Sequence, residues 1–312
     1  MDGFELRNEH IAQVVRHLED VLHGKRDALI RVLACIFSGG HLLLEDLPGL
    51  GKTTLALAVS HALGLGFGRI QCTNDLLPTD VTGLNIFKAD RGEFQFHPGP
   101  VFNNLLLVDE INRATPKTQS ALLEAMGEEQ VTVDGTTYAL PRPFHVIATQ
   151  NPIEFSGTFP LPESQMDRFT MRISIGYPSR ESEREILQRG SQKQSVADIP
   201  AILSPEGVTA LQQTVETDIA VSDKVLDYVL SLVERTRTHP LLAAGLSTRG
   251  AMVLLNCAKC AAWLQNRDFV IPEDVKCFAP EVMLHRMQPR SGSRGGAPEI
   301  LRDILLEVPV LQ

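Results

Sequence analysis

The chain has 312 residues, 43% of them hydrophobic and 21% charged, with a formal net charge of −9. At roughly 150 residues per domain this predicts about two compact units of ordinary globular composition. The acidic balance argues against wholesale binding to a nucleic-acid backbone, and no apolar run approaches the ~18 residues of a membrane span. Residues 1–5 lack a basic region ahead of an apolar core, so no secretory leader, no membrane insertion and a cytoplasmic location are expected.

In chain order, residues 41–45 read as a buried strand, followed by a Gly-rich turn and a helix over 53–63. Residues 69–72 form a second short strand, with a loop rich in Pro and Asp behind it. A third strand at 105–108 precedes a helix over 116–126, and strands four and five fall at 145–149 and 171–175. Strands fed by helical crossovers predict a five-stranded parallel α/β sheet covered on both faces. Two segments break this rhythm. Residues 93–100 alternate apolar and polar before stopping at Pro and Gly, and residues 130–138 read as a hairpin turning at Asp134-Gly135. Such hairpins cannot easily join a parallel sheet and are expected to project from it.

Beyond residue 177 the strand signals end. Segments 179–189, 204–215, 222–235, 248–264 and 272–284 read as helices, several with Ser, Thr or Pro starts. The expected division is therefore an α/β core over 1–177 and an all-helical lid domain over 178–312, with 290–296 a flexible, mildly basic loop. Five cysteines (Cys35, Cys72, Cys257, Cys260, Cys277) form an odd, scattered set unlike a disulfide framework. Cys257 and Cys260 have the CxxC spacing but lie in an apolar helical stretch without a second pair. They read as small core residues, with metal or redox use as the alternative.

The chemistry concentrates between the first strand and its helix. Pro48, Gly49, Leu50, Gly51, Lys52, Thr53 and Thr54 follow a strand and open a helix, the context of a phosphate-binding loop. Gly49 and Gly51 let the backbone approach phosphate oxygens, and N–H donors at the helix start cradle them. Lys52 is placed for the β and γ phosphates and the Thr53 hydroxyl for Mg²⁺, which implies ATP and Mg²⁺ as ligands. The pattern departs from GxxxxGK[ST] at its first position, where Asp46 stands. A carboxylate aimed at phosphate would repel it, so Asp46 is expected to face away. Residues 105–108 then run into Asp109, suited to a Mg²⁺ water shell, and Glu110, suited to polarising an attacking water.

These residues resemble the AAA+ ATPases, and six flanking segments are similar to the MoxR family: DLLPTDVTG (75–83), PGPVF (98–102), DEINRA (109–114), KTQSALLEAM (117–126), ATQNP (148–152) and LPESQMDRF (161–169). The resemblance runs over about 21–308. It implies an AAA+ core with a C-terminal helical lid, the two hairpins matching insertions of the helix-2-insert group. It further implies that Asn151 is a first sensor orienting the water, against an ordinary strand-end Asn. Arg168 would be an arginine finger given across a subunit interface, against a local pair with Asp167 or Glu163. Arg249 would be a second sensor reaching from the lid to the γ phosphate, against a surface Arg; Thr248 stands where the family usually has Pro. Leu22, His23 and Gly24 resemble the adenine-side loop. Phe94, Phe96 and His97 either touch a client or pin the first hairpin. The family implies a ring-forming homo-oligomer, a hexamer, that remodels or matures partner proteins by complex assembly or metal-cofactor insertion, often with a von Willebrand factor A-domain protein. A metal-chelatase motor subunit, a nucleic-acid motor and a non-hydrolysing nucleotide scaffold are the alternatives.

Overall fold

The structure is a computed structural model describing residues 4–153, 157–189, 196, 199–290 and 296–310. Two helices come first, α1 (Glu9–Glu19) and α2 (Arg26–Phe37). The Asn8 side chain caps α1 by accepting from the Ile11 N–H, and Ile11, Val14, Val15 and Leu18 bury one face at spacings of three and four. The α/β part then runs β1 (Leu42–Glu45), α3 (Lys52–Ala62), β2 (Phe67–Gln71), α4 (Pro78–Thr82), β3 (Gly83–Lys88), β4 (Glu93–Pro98), β5 (Leu105–Asp109), α5 (Pro116–Glu128), β6 (Gln130–Val133), β7 (Thr136–Ala139), β8 (His145–Gln150), α6 (Glu163–Met166) and β9 (Met171–Ile173).

The five expected strands form one sheet in the order β2-β5-β8-β1-β9, every neighbouring pair parallel. Leu42 to Leu44 and Leu105 to Val108 are buried throughout, which is why these strands read as continuous apolar runs without alternation. The first insertion has a second strand that the sequence reading lacks, β3, pairing antiparallel with β4 from Gly83↔Pro98 to Lys88↔Glu93. Gly83 opens it at φ +88°, where a Cβ would collide with the His97 carbonyl. In the second insertion Asp134 (φ +50°) and Gly135 (φ +80°) both adopt positive φ, as a type I′ turn between β6 and β7 requires. Both hairpins stand off the main sheet and lean on each other. Asn85 Nδ2 donates to Asp134 Oδ2 at 2.8 Å, and Phe96 stacks on Tyr138 with ring centroids 4.0 Å apart. Phe96 thus pins the two insertions together, while Phe94 stays 70% exposed.

The second unit contains α7 (Arg180–Arg189), α8 (Pro205–Thr217), α9 (Asp223–Thr238), α10 (Thr248–Leu264), α11 (Pro272–Cys277), α12 (Ala279–Met283) and α13 (Ala297–Glu307). Ser204, Ser222 and Ser247 cap α8, α9 and α10, each accepting a backbone N–H with its hydroxyl. The helix expected over 272–284 breaks at Phe278, because Pro280 in the next turn has no N–H to continue the ladder. The unit is also not all helical: β10 (Leu242–Ala244) and β11 (Gln288–Pro289) pair antiparallel, too short to leave a periodic signal. The loop expected around 290–296 falls largely outside the described residues. One hydrophobic cluster joins the helical unit to α1, α2, α3 and β1, so the lid is seated on the core. Cys35, Cys257 and Cys260 lie within it, fully buried and unpaired, and burial pushes the Cys257 thiol up to about 12. Among the described residues no group of three or more His, Cys, Asp or Glu is arranged to hold a metal, and no helix is long and apolar enough to cross a membrane.

Two buried histidines stand at the strand starts. His41 accepts the Val146 N–H at Nδ1 (3.0 Å) and donates from Nε2 to the Met126 carbonyl (3.1 Å). His145 donates from Nδ1 to the Gly40 carbonyl (2.8 Å) and faces the Gln212 amide nitrogen with Nε2 (2.8 Å). Each ring therefore has one donor and one acceptor nitrogen, the pattern of a neutral imidazole. Burial pushes His41 down to about 3, helped by His145, Arg249 and Arg168, and pushes His145 down to about 4. Once unfolded, both take up a proton near 6.5. The unfolded state then binds more protons between these values, so stability is lost as pH falls from 6.5 toward 4 and is insensitive to these groups above it. His145→Gln is expected to flatten the pH dependence of the melting temperature in that window. An unchanged slope would assign the acid sensitivity elsewhere.

Candidate active site

The phosphate loop links the end of β1 to α3. Gly49 (φ +84°) and Gly51 (φ +83°) both take left-handed backbone, and Gly51 is the N-cap of α3. Pro48 to Gly51 form the turn, and Lys52, Thr53 and Thr54 make the first helical turn, their N–H groups without intrahelical partners. Lys52 Nζ donates to the Asp46 carbonyl at 2.6 Å. Burial lowers the Lys52 pKa, opposed by Asp46, Asp109 and Glu110. The Asp46 carboxylate turns away from the loop, as expected. It accepts from Ser174 Oγ (2.6 Å), the Ile175 N–H (2.5 Å) and the Gly176 N–H (3.2 Å).

Asp109 ends β5 and is 7% exposed. Its Oδ2 accepts from Arg69 Nε at 2.8 Å and its Oδ1 from Thr149 Oγ1 at 3.3 Å. The same Thr149 oxygen accepts the Glu110 N–H at 2.9 Å, fixing the residue in a left-handed conformation (φ +57°). Glu110 Oε2 accepts from Gln71 Nε2 at 3.2 Å and Arg113 Nη1 at 3.0 Å. Arg69, Gln71 and Thr149 were missed as site residues. The signal for the first two was available: they alternate around Ile70 and share one face of a strand whose register sets Gln71 opposite Asp109. Thr53 and Asp109 offer a hydroxyl and a carboxylate, all-oxygen donors suited to a hard divalent cation.

Asn151 follows β8 beside β1 and β5, on the sheet edge that carries the phosphate loop and Glu110, and its Oδ1 accepts the Ile153 N–H at 3.1 Å. In the segment expected to be the adenine-side loop, Leu22 is buried and His23 half-buried, while Gly24 (φ +68°) approaches Ser182 too closely for a side chain. Next to them Lys25 Nζ donates to the Gly176 carbonyl at 2.6 Å. Residues 22–25, the phosphate loop and the segment 174–176 are thereby stitched together through Lys25 and Asp46.

Arg168 and Arg249 stand elsewhere. Both line a cleft of about 340 Å³ with Ser38, His41, Glu128 and Thr170, at the starts of the parallel strands. Arg168 Nη1 donates to the Leu123 carbonyl at 2.8 Å. It makes no pair with Asp167 or Glu163, since Asp167 pairs with Arg286. Arg249 is exposed, and no described residue hydrogen-bonds its guanidinium. Arg249, expected as a second sensor, thus stands in the first turn of α10 at this edge, away from the phosphate loop of its own chain.

A parallel sheet of this order, a phosphate loop after β1, an acid pair after β5 and a seated helical lid define an AAA+ P-loop ATPase. Residues 41–171 match the family model for the ATPase family associated with various cellular activities, and residues 234–304 match the AAA lid domain. The chain is 44% identical to YeaC of Bacillus subtilis, over 96% of this chain and 94% of that protein. It is 39% identical to Chaperone MoxR1 of Mycobacterium tuberculosis (92% and 78%) and 30% to Protein MoxR of Methylorubrum extorquens (96% and 94%). A crystal structure from Cytophaga hutchinsonii, assigned as an ATPase, superposes with a TM-score of 0.91 at 38% identity, covering 97% of this chain and 96% of that one. The protein belongs to the MoxR family of AAA+ ATPases.

Proposed function

We propose that the protein is a Mg²⁺-dependent ATPase working as a homo-oligomeric ring, a hexamer, from a core of residues 1–177 and a lid of residues 178–312. One observation carries the ring reading: Arg168 and Arg249 lie at the strand starts, whereas the phosphate loop and Glu110 lie at the strand ends. The rise along β1 alone separates these edges by roughly 13 Å. Cations so placed serve a nucleotide held by a neighbouring chain. Planar guanidinium forks match the γ-phosphate oxygens on which charge develops.

In this reading the N–H groups of residues 49–54 and the Lys52 ammonium bind the triphosphate. Glu110 takes the proton of the attacking water, whose oxygen displaces ADP in line from the γ phosphorus, and Asn151 orients that water. Thr53 and Asp109 would hold Mg²⁺, which supplies charge neutralisation on the β and γ oxygens. Hydrolysis drives remodelling or maturation of a partner protein in the cytoplasm, by complex assembly or metal-cofactor insertion, with a von Willebrand factor A-domain protein as co-factor; the name of the mycobacterial relative supports the chaperone reading.

Turnover per chain is expected to fall steeply on dilution to monomer and to be unmoved by added DNA or porphyrin. A flat rate down to monomer sinks the ring. Stimulation by porphyrin or by DNA would instead support a chelatase motor or a nucleic-acid motor.

A further inference from the structure

Arg168 and Arg249 come from distant parts of the chain, the segment ahead of β9 and the first turn of α10, yet share one cleft. Asp167 joins them. Its Oδ1 accepts from Arg286 Nε at 2.6 Å and its Oδ2 from Ser247 Oγ at 3.0 Å. Ser247 is the N-cap of α10, its hydroxyl also accepting the Gly250 N–H at 3.0 Å, and Arg249 lies two residues on. Arg286, only 8% exposed, donates to the carbonyls of Asp167 (3.2 Å), Phe169 (2.6 Å), Thr170 (3.2 Å) and Val282. It thus grips the backbone on both sides of Arg168. Its Cδ also runs so close under the first turn of α10 that a Cβ on Gly250 would stand 3.0 Å away.

A buried guanidinium is expensive in solvation, and a buried ion pair stabilises a fold little more than apolar packing would; its best-attested use is to fix geometry. We propose that Arg286, Asp167 and Ser247 form a clamp that sets the spacing of Arg168 and Arg249, presenting the two cations to a neighbouring chain's triphosphate as one preset pair. The clamp residues touch no nucleotide; they are positioning residues. The inference rests on the trans reading above.

Mixed assemblies test it. Glu110→Gln chains keep both arginines but lack their own base, whereas Asp167→Asn chains keep the base but lose the charge that holds the clamp. Alone, Asp167→Asn is expected to bind ATP like the parent chain and turn it over ~10- to 100-fold slower, the scale of a misplaced catalytic group. Mixed with Glu110→Gln, its sites gain intact neighbouring arginines, and turnover exceeds the sum of the two separate rates. A defect of folding would gain nothing from mixing. Ser247→Ala, which leaves the Asp167–Arg286 pair in place, is expected to behave alike and serves if Asp167→Asn does not fold. Unimpaired turnover by the folded variants overturns the clamp. So does an absence of recovery on mixing, when Arg168→Ala mixed with Glu110→Gln does recover. If that control also fails to recover, the trans reading falls and the clamp with it.

Discussion

Arg168→Ala is expected to bind ATP as the parent chain does and to hydrolyse it ~10³-fold more slowly or worse, the scale on which a trans-acting arginine works. The side chain is spent on little else. Among the described residues it makes one side-chain hydrogen bond, to the Leu123 carbonyl, and no carboxylate pairs with it. The fold should therefore survive, and thermal melting should shift only slightly. Arg168→Lys should recover only part of the rate, because an ammonium offers a point charge where two phosphate oxygens accept a planar fork. Nucleotide titration beside steady-state turnover is the measurement. Full turnover by Arg168→Ala would remove the residue from the mechanism, and lost ATP binding would move it to the chain's own pocket.

Glu110→Gln should separate binding from chemistry, with turnover ~10²- to 10⁴-fold lower, as for loss of a general base, and ATP retained. Gln keeps the length of the side chain and its contacts to Gln71 and Arg113 but cannot take up the proton of the attacking water. Lys52→Ala should fail earlier, losing the ammonium that is poised over the loop at the Asp46 carbonyl. Single-turnover hydrolysis of prebound ATP distinguishes the two. A Glu110→Gln protein that hydrolyses bound ATP normally would place the base elsewhere.

The central strands were legible because each is short and buried on both faces, so Leu105 to Val108 and Leu42 to Leu44 stand out as uninterrupted apolar runs. The phosphate loop and Asp109-Glu110 were legible for a related reason: their roles depend on residues adjacent in sequence. Arg69, Gln71 and Thr149 were not, because they reach the acid pair through strand register, from β2 and β8 on either side of β5. The surroundings of Arg249 were not legible for the same reason. Its position follows from the seating of α10 on α2 and α8, a tertiary packing choice that no local pattern encodes. Strand β3 was hidden because its exposed face carries Leu84 and Ile86, leaving no polar alternation to mark a solvated hairpin.

The stacked Phe96–Tyr138 rings and the Asn85–Asp134 bond make the two hairpins a single stiff arm. One half leaves the body at α4, the other at the end of α5, and α5 begins six residues after Glu110. Six residues of strand give an arm of ~20 Å, so a tilt of about 5° at its root displaces its end by ~1.7 Å. Any tilt at that root would therefore be geared up at the Phe87 and Phe94 rings, 5.3 Å apart near the far end. Either ring alone would be a loose appendage; braced against the second hairpin, it becomes a pointer with a defined throw.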